Sequence, residues 1–187
     1  MNMKKAVHKI TITTTEVVVD GKPLDVTCSG SSILTELYRK YVNDYPKYFK
    51  MDILCKLGFI ATELLLQTEG KVRFEPREDR AVVFFNRSSS LHADKSFESN
   101  ICNRESFYPS PAMFVYTLPN IVTGEIAIRN KYYGETNFIV IEKRDEDVLN
   151  NIIDGVFTDN MTTSVVTGWL EAESEEEFNA EIYIIEK

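Results

Sequence analysis

Apolar and polar positions change period several times along this chain, and the changes mark its elements. Residues 9–19, KITITTTEVVV, alternate in part and are rich in β-branched side chains, the pattern of a strand on a half-buried sheet. Asp20-Gly21 supplies a tight turn, and residues 22–27 are expected to return as the partner strand. The period then lengthens. Ile33, Leu37 and Tyr41 share one face of a short helix over 33–43, which Pro46 interrupts. A clearer helix follows: Asp52 is a suitable N-cap, Leu57, Ile60, Ala61, Leu64 and Leu65 form its stripe, and Gly70 stops it. Residues 71–80 are charged, contain Pro76, and read as a loop.

The run 81–85, AVVFF, is unbroken and apolar, as suits a strand buried on both faces. From there to Tyr108 the chain is polar and reads as irregular. Ser110-Pro111 then gives an N-cap with proline at the first helical position. Pro119 ends that helix and a second begins at Asn120 or Ile121, where Ile121, Ile126, Ala127 and Ile128 predict burial on more than one side. Residues 138–141 form another short apolar strand. Asp145 caps a helix carrying Val148, Leu149, Ile152 and Ile153 that ends at Gly155. Residues 164–170 and 180–185 close the chain as an antiparallel strand pair, joined by the acidic run 171–177, which reads as a solvated loop. This order predicts an α/β fold with helices packed on a mixed sheet. No repeat or linker divides it, so residues 1–187 read as a single domain.

Composition narrows the chemistry. A net charge of −8 argues against nucleic acid, whose phosphates need a basic face, and weakens broad docking on acidic carrier proteins. No apolar stretch approaches the roughly 20 residues of a membrane span. The basic start, residues 1–9, leads into alternating threonines instead of a signal-peptide core, so a cytoplasmic protein is expected. Cys28, Cys55 and Cys102 form no CxxC pair and no metal spacing with His8 and His92, which predicts reduced thiols and no metal. No cofactor is expected either: Ser29-Gly30-Ser31-Ser32 lacks the lysine of a phosphate loop. Ser88, Ser89, Ser90, His92 and Asp94 contain the residue types of a hydrolase triad without its Gly-x-Ser-x-Gly turn. Cys102 sits in a polar loop with no base near it in sequence. The aromatic group Tyr38, Tyr41, Tyr45, Tyr48 and Phe49 reads as helix packing, with a partner or acyl-chain surface as the alternative.

The segment 110–134, SPAMFVYTLPNIVTGEIAIRNKYYG, resembles the β-ketoacyl synthase family. There a proline and phenylalanine precede an Asn-led helix with an "iAi" core that ends in a turn and a glycine. The matching residues are Pro111, Phe114, Leu118, Pro119, Asn120, Gly124, Ile126, Ala127, Ile128 and Gly134. Residues 152–155 and 165–171, VVTGWLE, are similar to the family's next helix and its "vlvGgvE" strand. Lys50-Met51-Asp52 is similar to its "rrmd" segment, and residues 81–86 fall where it has its "igvvvg" strand. The resemblance spans about two thirds of the chain, residues 50–171, and rests on the order and spacing of four motifs.

The resemblance implies a thiolase-like fold, here a single half: the N-terminal ketosynthase-type layer of mixed sheet with packed helices. One half alone leaves uncovered a face that the other normally buries. Family members dimerise through the strand before the nucleophile. This places Phe138, Ile139, Val140 and Ile141, with the helix led by Asn120, at an interface with a second copy or a full-length ketosynthase. The nucleophilic cysteine would fall at or beside Lys143, in Ile141-Glu142-Lys143-Arg144-Asp145, where there is neither cysteine nor serine. Charged neighbours make Lys143 a solvated lysine, not a nucleophile. The family's two active-site histidines come from its C-terminal half, and neither His8 nor His92 matches their motifs. No catalytic residue is therefore expected. The implied role is a pseudoenzyme: a non-catalytic, ketosynthase-like accessory protein of fatty acid or polyketide (aryl polyene-type) biosynthesis, acting through protein contacts. Short ketosynthase-like products of aryl polyene gene clusters look similar. Such systems also hold cysteine-less chain-length factors that pair with an active ketosynthase, from which this chain departs by lacking the C-terminal half. An acyl carrier protein is a further implied partner. Two alternatives stand beside it: a 3-oxoacyl-[acyl-carrier-protein] synthase-type acyltransferase completed by a partner chain, and a module that holds an acyl ligand.

Overall fold

The computed structural model describes residues 6–102, 107 and 109–187. The first strand expected, 9–19, is two strands, β1 (Ala6–Thr13) and β2 (Val17–Val19). Thr13 is the cause: its hydroxyl accepts from the backbone N–H of Thr15 and Glu16 (3.3 and 3.1 Å) and reverses the chain. Asp20 and Gly21, with φ of 47° and 76°, make the predicted tight turn. Its return, β3, is only Lys22–Pro23, because proline brings no donor to the ladder. Next come α1 (Ser32–Tyr41), a 3-10 turn (Pro46–Lys50) and α2 (Ile53–Glu69). Asp52 caps α2 by accepting from the N–H groups of Leu54 and Cys55, and Gly70 ends it at φ 68°. The aromatic group is packing, as expected: Tyr38 and Tyr48 stack at 4.2 Å, and Tyr45 stacks on Phe59 at 5.1 Å.

Strand β4 (Arg80–Asn86) is buried along its whole length. The stretch after it is not irregular throughout. Residues Leu91–Ile101 form α3, whose sequence shows little period because Ala93 is its one fully buried position. Its termination region toward Tyr108 lies partly outside the described residues. Then follow α4 (Pro111–Val115), capped by the Ser110 hydroxyl, and α5 (Ile121–Asn130). Helix α5 buries one side through Val122 and Ile126, whereas Ile128 is 69% exposed, so the burial expected of Ile128 does not occur. The last elements are β5 (Thr136–Val140), α6 (Glu146–Val156), β6 (Ser164–Ser174) and β7 (Glu177–Glu186). Here the acidic run departs most from expectation. Residues 171–174 continue β6, with Glu171 opposite Asn179 and Ala172 opposite Phe178, and only residues 175 and 176 turn.

All seven strands form one mixed sheet of order β3-β2-β1-β7-β6-β4-β5. Strands β5 and β6 run parallel to β4 on its two sides, and β6–β7 and β7–β1 are antiparallel. One face carries α2 and α5, with α1 packed against α2, over a core that includes Ile10, Leu57, Phe59, Phe84, Val166 and Ile182. The other carries α6, whose Leu149, Ile153 and Val156 cover Val83, Phe85, Val165 and Trp169. Helices thus pack on a mixed sheet as three layers. No described helix is long and apolar enough to cross a membrane.

Two glycines of the family-like motifs answer to close backbone approaches. At Gly134, a Cβ would meet the Arg80 carbonyl from across the turn into β5. Gly168, in mid-β6, has φ 153°, and its Cβ would collide with the Glu181 carbonyl of β7. Gly168→Ala should therefore cost about 2–4 kcal/mol through combined strain and overpacking. Urea unfolding followed by tryptophan fluorescence, with Trp169 next door, measures it.

Candidate functional site

In sheets with parallel strands, sites collect beyond the carboxyl ends of those strands. Here these are the ends of β4, β5 and β6. At the end of β4 the Asn86 amide donates to the Ser89 carbonyl (2.8 Å) and accepts from its N–H (3.0 Å), holding Ser89 at φ 54°. At the end of β6 the Glu171 carboxylate, 7% exposed, accepts from the N–H of Arg87 (3.0 Å), the N–H of Ser88 (3.1 Å) and the Ser88 hydroxyl. The guanidinium of Arg87 pairs with Glu173. So this crevice is filled by the protein's own hydrogen bonds. Sequence reading missed Glu171 because a glutamate inside an acidic run carries no sign of burial.

Lys143 lies in the turn from β5 to α6 and is exposed, as its charged neighbours predict. A thiolate at such a junction would be stabilised by the helix N-terminus. That place is already taken: Asp145 accepts from the N–H groups of Asp147 (3.1 Å) and Val148 (3.2 Å). Arg144 donates to Glu146 (2.8 Å) and to Glu181 (2.7 Å). Glu181 also receives Lys9 at 2.7 Å and the Tyr183 hydroxyl. Burial alone would raise the Glu181 carboxyl, but these donors outweigh it and bring it down to about 2.

The other candidate nucleophiles are dispersed. Cys55 is buried in α2, where burial, and then the charge of Asp52, push its thiol well above the ordinary range. Cys28 and Cys102 are exposed. The Ser90 hydroxyl bonds the Thr117 carbonyl at 2.6 Å and Asp94 at 3.4 Å, and Ser88 bonds Glu171, so these serines are committed away from His92. His8 pairs with Asp20 at 2.7 Å. Among the described residues no group of three His, Cys, Asp or Glu side chains is placed to hold a metal.

Strand β5 is an edge of the sheet. It pairs with β4 on one side only, with Phe138 opposite Phe84, Ile139 opposite Phe85 and Val140 opposite Asn86. Phe138, Ile139 and Ile141 are half-buried and Val140 is 47% exposed. Helix α5 packs against both β4 and β5, which puts Asn120, exposed just ahead of it, on the element beside this edge. A separate cleft of about 260 Å³ opens where α3 and α4 meet the start of α2.

Two solved structures of similar fold come from ketosynthase systems. "The ishigamide ketosynthase/chain length factor" superposes with a TM-score of 0.63 at 19% identity, over 74% of this chain and 44% of that one. "Ketosynthase (ApeO) in Complex with its Chain Length Factor (ApeC) from Xenorhabdus doucetiae" gives 0.62 at 12% identity, over 96% of this chain and 76% of that one. The chain is thus ketosynthase-like in fold, and spans less than half the length of the first of these chains and about three quarters of the second. No family model and no curated protein matches it.

Two outcomes are expected from this end of the sheet. Glu171→Ala removes the acceptor of two backbone N–H groups and should cost roughly 2–4 kcal/mol in urea unfolding. Glu181 stabilises the fold only while ionised. Its carboxyl lies below the ordinary 4.5, so its contribution is complete above that pH and disappears as pH falls toward about 2. Glu181→Gln should lessen the drop in melting temperature between pH 5 and pH 2.5, in a thermal series at about one-half-unit steps.

Proposed function

We propose that the chain is a cytoplasmic, non-catalytic ketosynthase-like protein that pairs with a full-length ketosynthase through the β5 edge, in polyketide assembly of the aryl polyene type. The carrying observation is the turn at Lys143. Where a condensing enzyme needs a thiolate at a helix N-terminus, this chain has an exposed lysine, and Asp145 occupies the N–H groups that would stabilise the anion. Without a nucleophile, acyl transfer has no covalent intermediate to pass through.

Pairing is supported by the edge itself. An open strand of apolar residues is a template for another strand, and proteins that do not use such an edge protect it with charge, proline or a bulge. Strand β5 has none of these along Phe138, Ile139 and Val140, and Tyr133, 68% exposed, lies just before it. The solved structures of like fold name a ketosynthase together with a chain length factor, which favours a ketosynthase over a second copy as the occupant. The net charge of −8 leaves recognition of an acyl carrier protein to that partner.

The test is co-expression with the ketosynthase encoded nearest to it, followed by size-exclusion chromatography with light scattering. A stoichiometric complex is expected, and Val140→Glu, at an exposed position, should weaken it at least about tenfold while leaving the melting temperature in place. A complex indifferent to this substitution would overturn the interface. Mass spectrometry after incubation with an acyl-carrier thioester should find no adduct; acylation of any residue would favour the acyltransferase reading instead.

A further inference from the structure

The cleft between α2, α3 and α4 lies apart from both the Lys143 turn and the β5 edge, and nothing in the pairing role uses it. Its wall is apolar, built by Met51, Ile53, Met113 and Tyr116. A dry cavity of about 150 Å³ admits a benzene-sized molecule, so about 260 Å³ suits an apolar group of roughly ten heavy atoms.

The charged groups at its lining differ in one respect: the acids are engaged and the bases are not. Asp52 accepts from Leu54 N–H (3.3 Å) and Cys55 N–H (3.0 Å), and Glu175 accepts from the Ser31 hydroxyl (2.6 Å). Burial also raises the Asp52 carboxyl above its ordinary range, although those N–H groups pull the other way. The ammonium groups of Lys50 and Lys56 make no ion pair or hydrogen bond among the described residues; that of Lys56 acts on the Asp52 carboxylate only through space. His92 has a buried Nδ1 with no hydrogen-bond partner. A buried polar atom left unpaired calls for a further group, such as a water or a ligand. What the cleft offers a visitor is therefore an apolar wall, two spare lysine ammonium groups and an unpartnered histidine nitrogen.

We propose that this cleft binds a small amphipathic carboxylate, with its hydrocarbon against Met51, Ile53, Met113 and Tyr116 and its carboxylate beside Lys50, Lys56 and His92. The head group is set by charge complementarity and the size by the cavity. Binding here is independent of pairing through β5, and either proposal can fail without the other.

Isothermal titration of the full chain with octanoate, octylamine and octanol separates head group from tail. Octanoate should bind saturably with one site, octanol more weakly, and octylamine not at all. The double substitution K50E/K56E should weaken octanoate about tenfold, as expected from two exposed ion pairs. Ala112→Trp, at an exposed position of the lining, should fill the cleft and abolish binding with an unchanged circular dichroism spectrum. Octylamine binding as well as octanoate, octanoate uptake without saturation, or affinity untouched by K50E/K56E would each overturn the assignment.

Discussion

Strand β4 is covered on both faces and paired on both sides, and most of the architecture follows from that one condition. Its alternate residues feed two cores, Val82 and Phe84 into one and Ala81, Val83 and Phe85 into the other. Both its neighbours are parallel, so the chain must leave the sheet to reach each of them. The step from β4 to β5 moves toward one edge, and the step from β5 to β6 moves back past β4. Parallel crossovers keep one handedness, so opposite steps put their helices on opposite faces. Helix α5 accordingly joins the α2 layer and α6 stands alone on the other side.

Polar groups mark both ends of this central strand. At its start Arg80 is fully buried, bonded to both oxygens of Glu69 (2.7 and 2.5 Å) and to Ser164 (2.9 Å). Burial would raise the Glu69 carboxyl, but Arg80, and then Lys71, overcome this and hold it near 2. At its far end Glu171, Asn86 and Asp145 each use a side chain to satisfy backbone N–H groups. Enzymes of similar architecture keep such donors free for a reacting anion. Here they are spent on holding the turns in place.

The β5 edge carries Phe138, Ile139 and Val140 without a charge, proline or bulge among them, while the opposite edge is the two-residue β3, Lys22–Pro23. The α2–α3–α4 cleft, on the other hand, is small, apolar-walled and lined by two spare lysine ammonium groups. We propose the first as the seat of a strand from another protein and the second as the seat of a small anion.

Residue order alone determined the buried β4, the two-strand close of the chain, the Asp52, Ser110 and Asp145 caps and the stop at Gly70. These are local: a cap or a continuous apolar run needs only its own neighbours to declare itself. It also carried the motif order that resembles the ketosynthase family, and with it the thiolase-like fold and the expectation that the family's nucleophile position falls at Lys143. Helix α3 escaped because a helix lying on the outside of a layer, with Ala93 alone fully buried, leaves hardly any apolar period to read. The extension of β6 through Glu171 escaped because a carboxylate is buried only where distant donors await it, and those of Arg87 and Ser88 lie more than eighty positions away in sequence. Ile128 was expected inside and lies outside, since apolar character does not say which side of a helix a neighbouring element covers. The edge position of β5 and the cleft beside His92 were likewise decided by the tertiary structure, because both are properties of what is not packed against a residue.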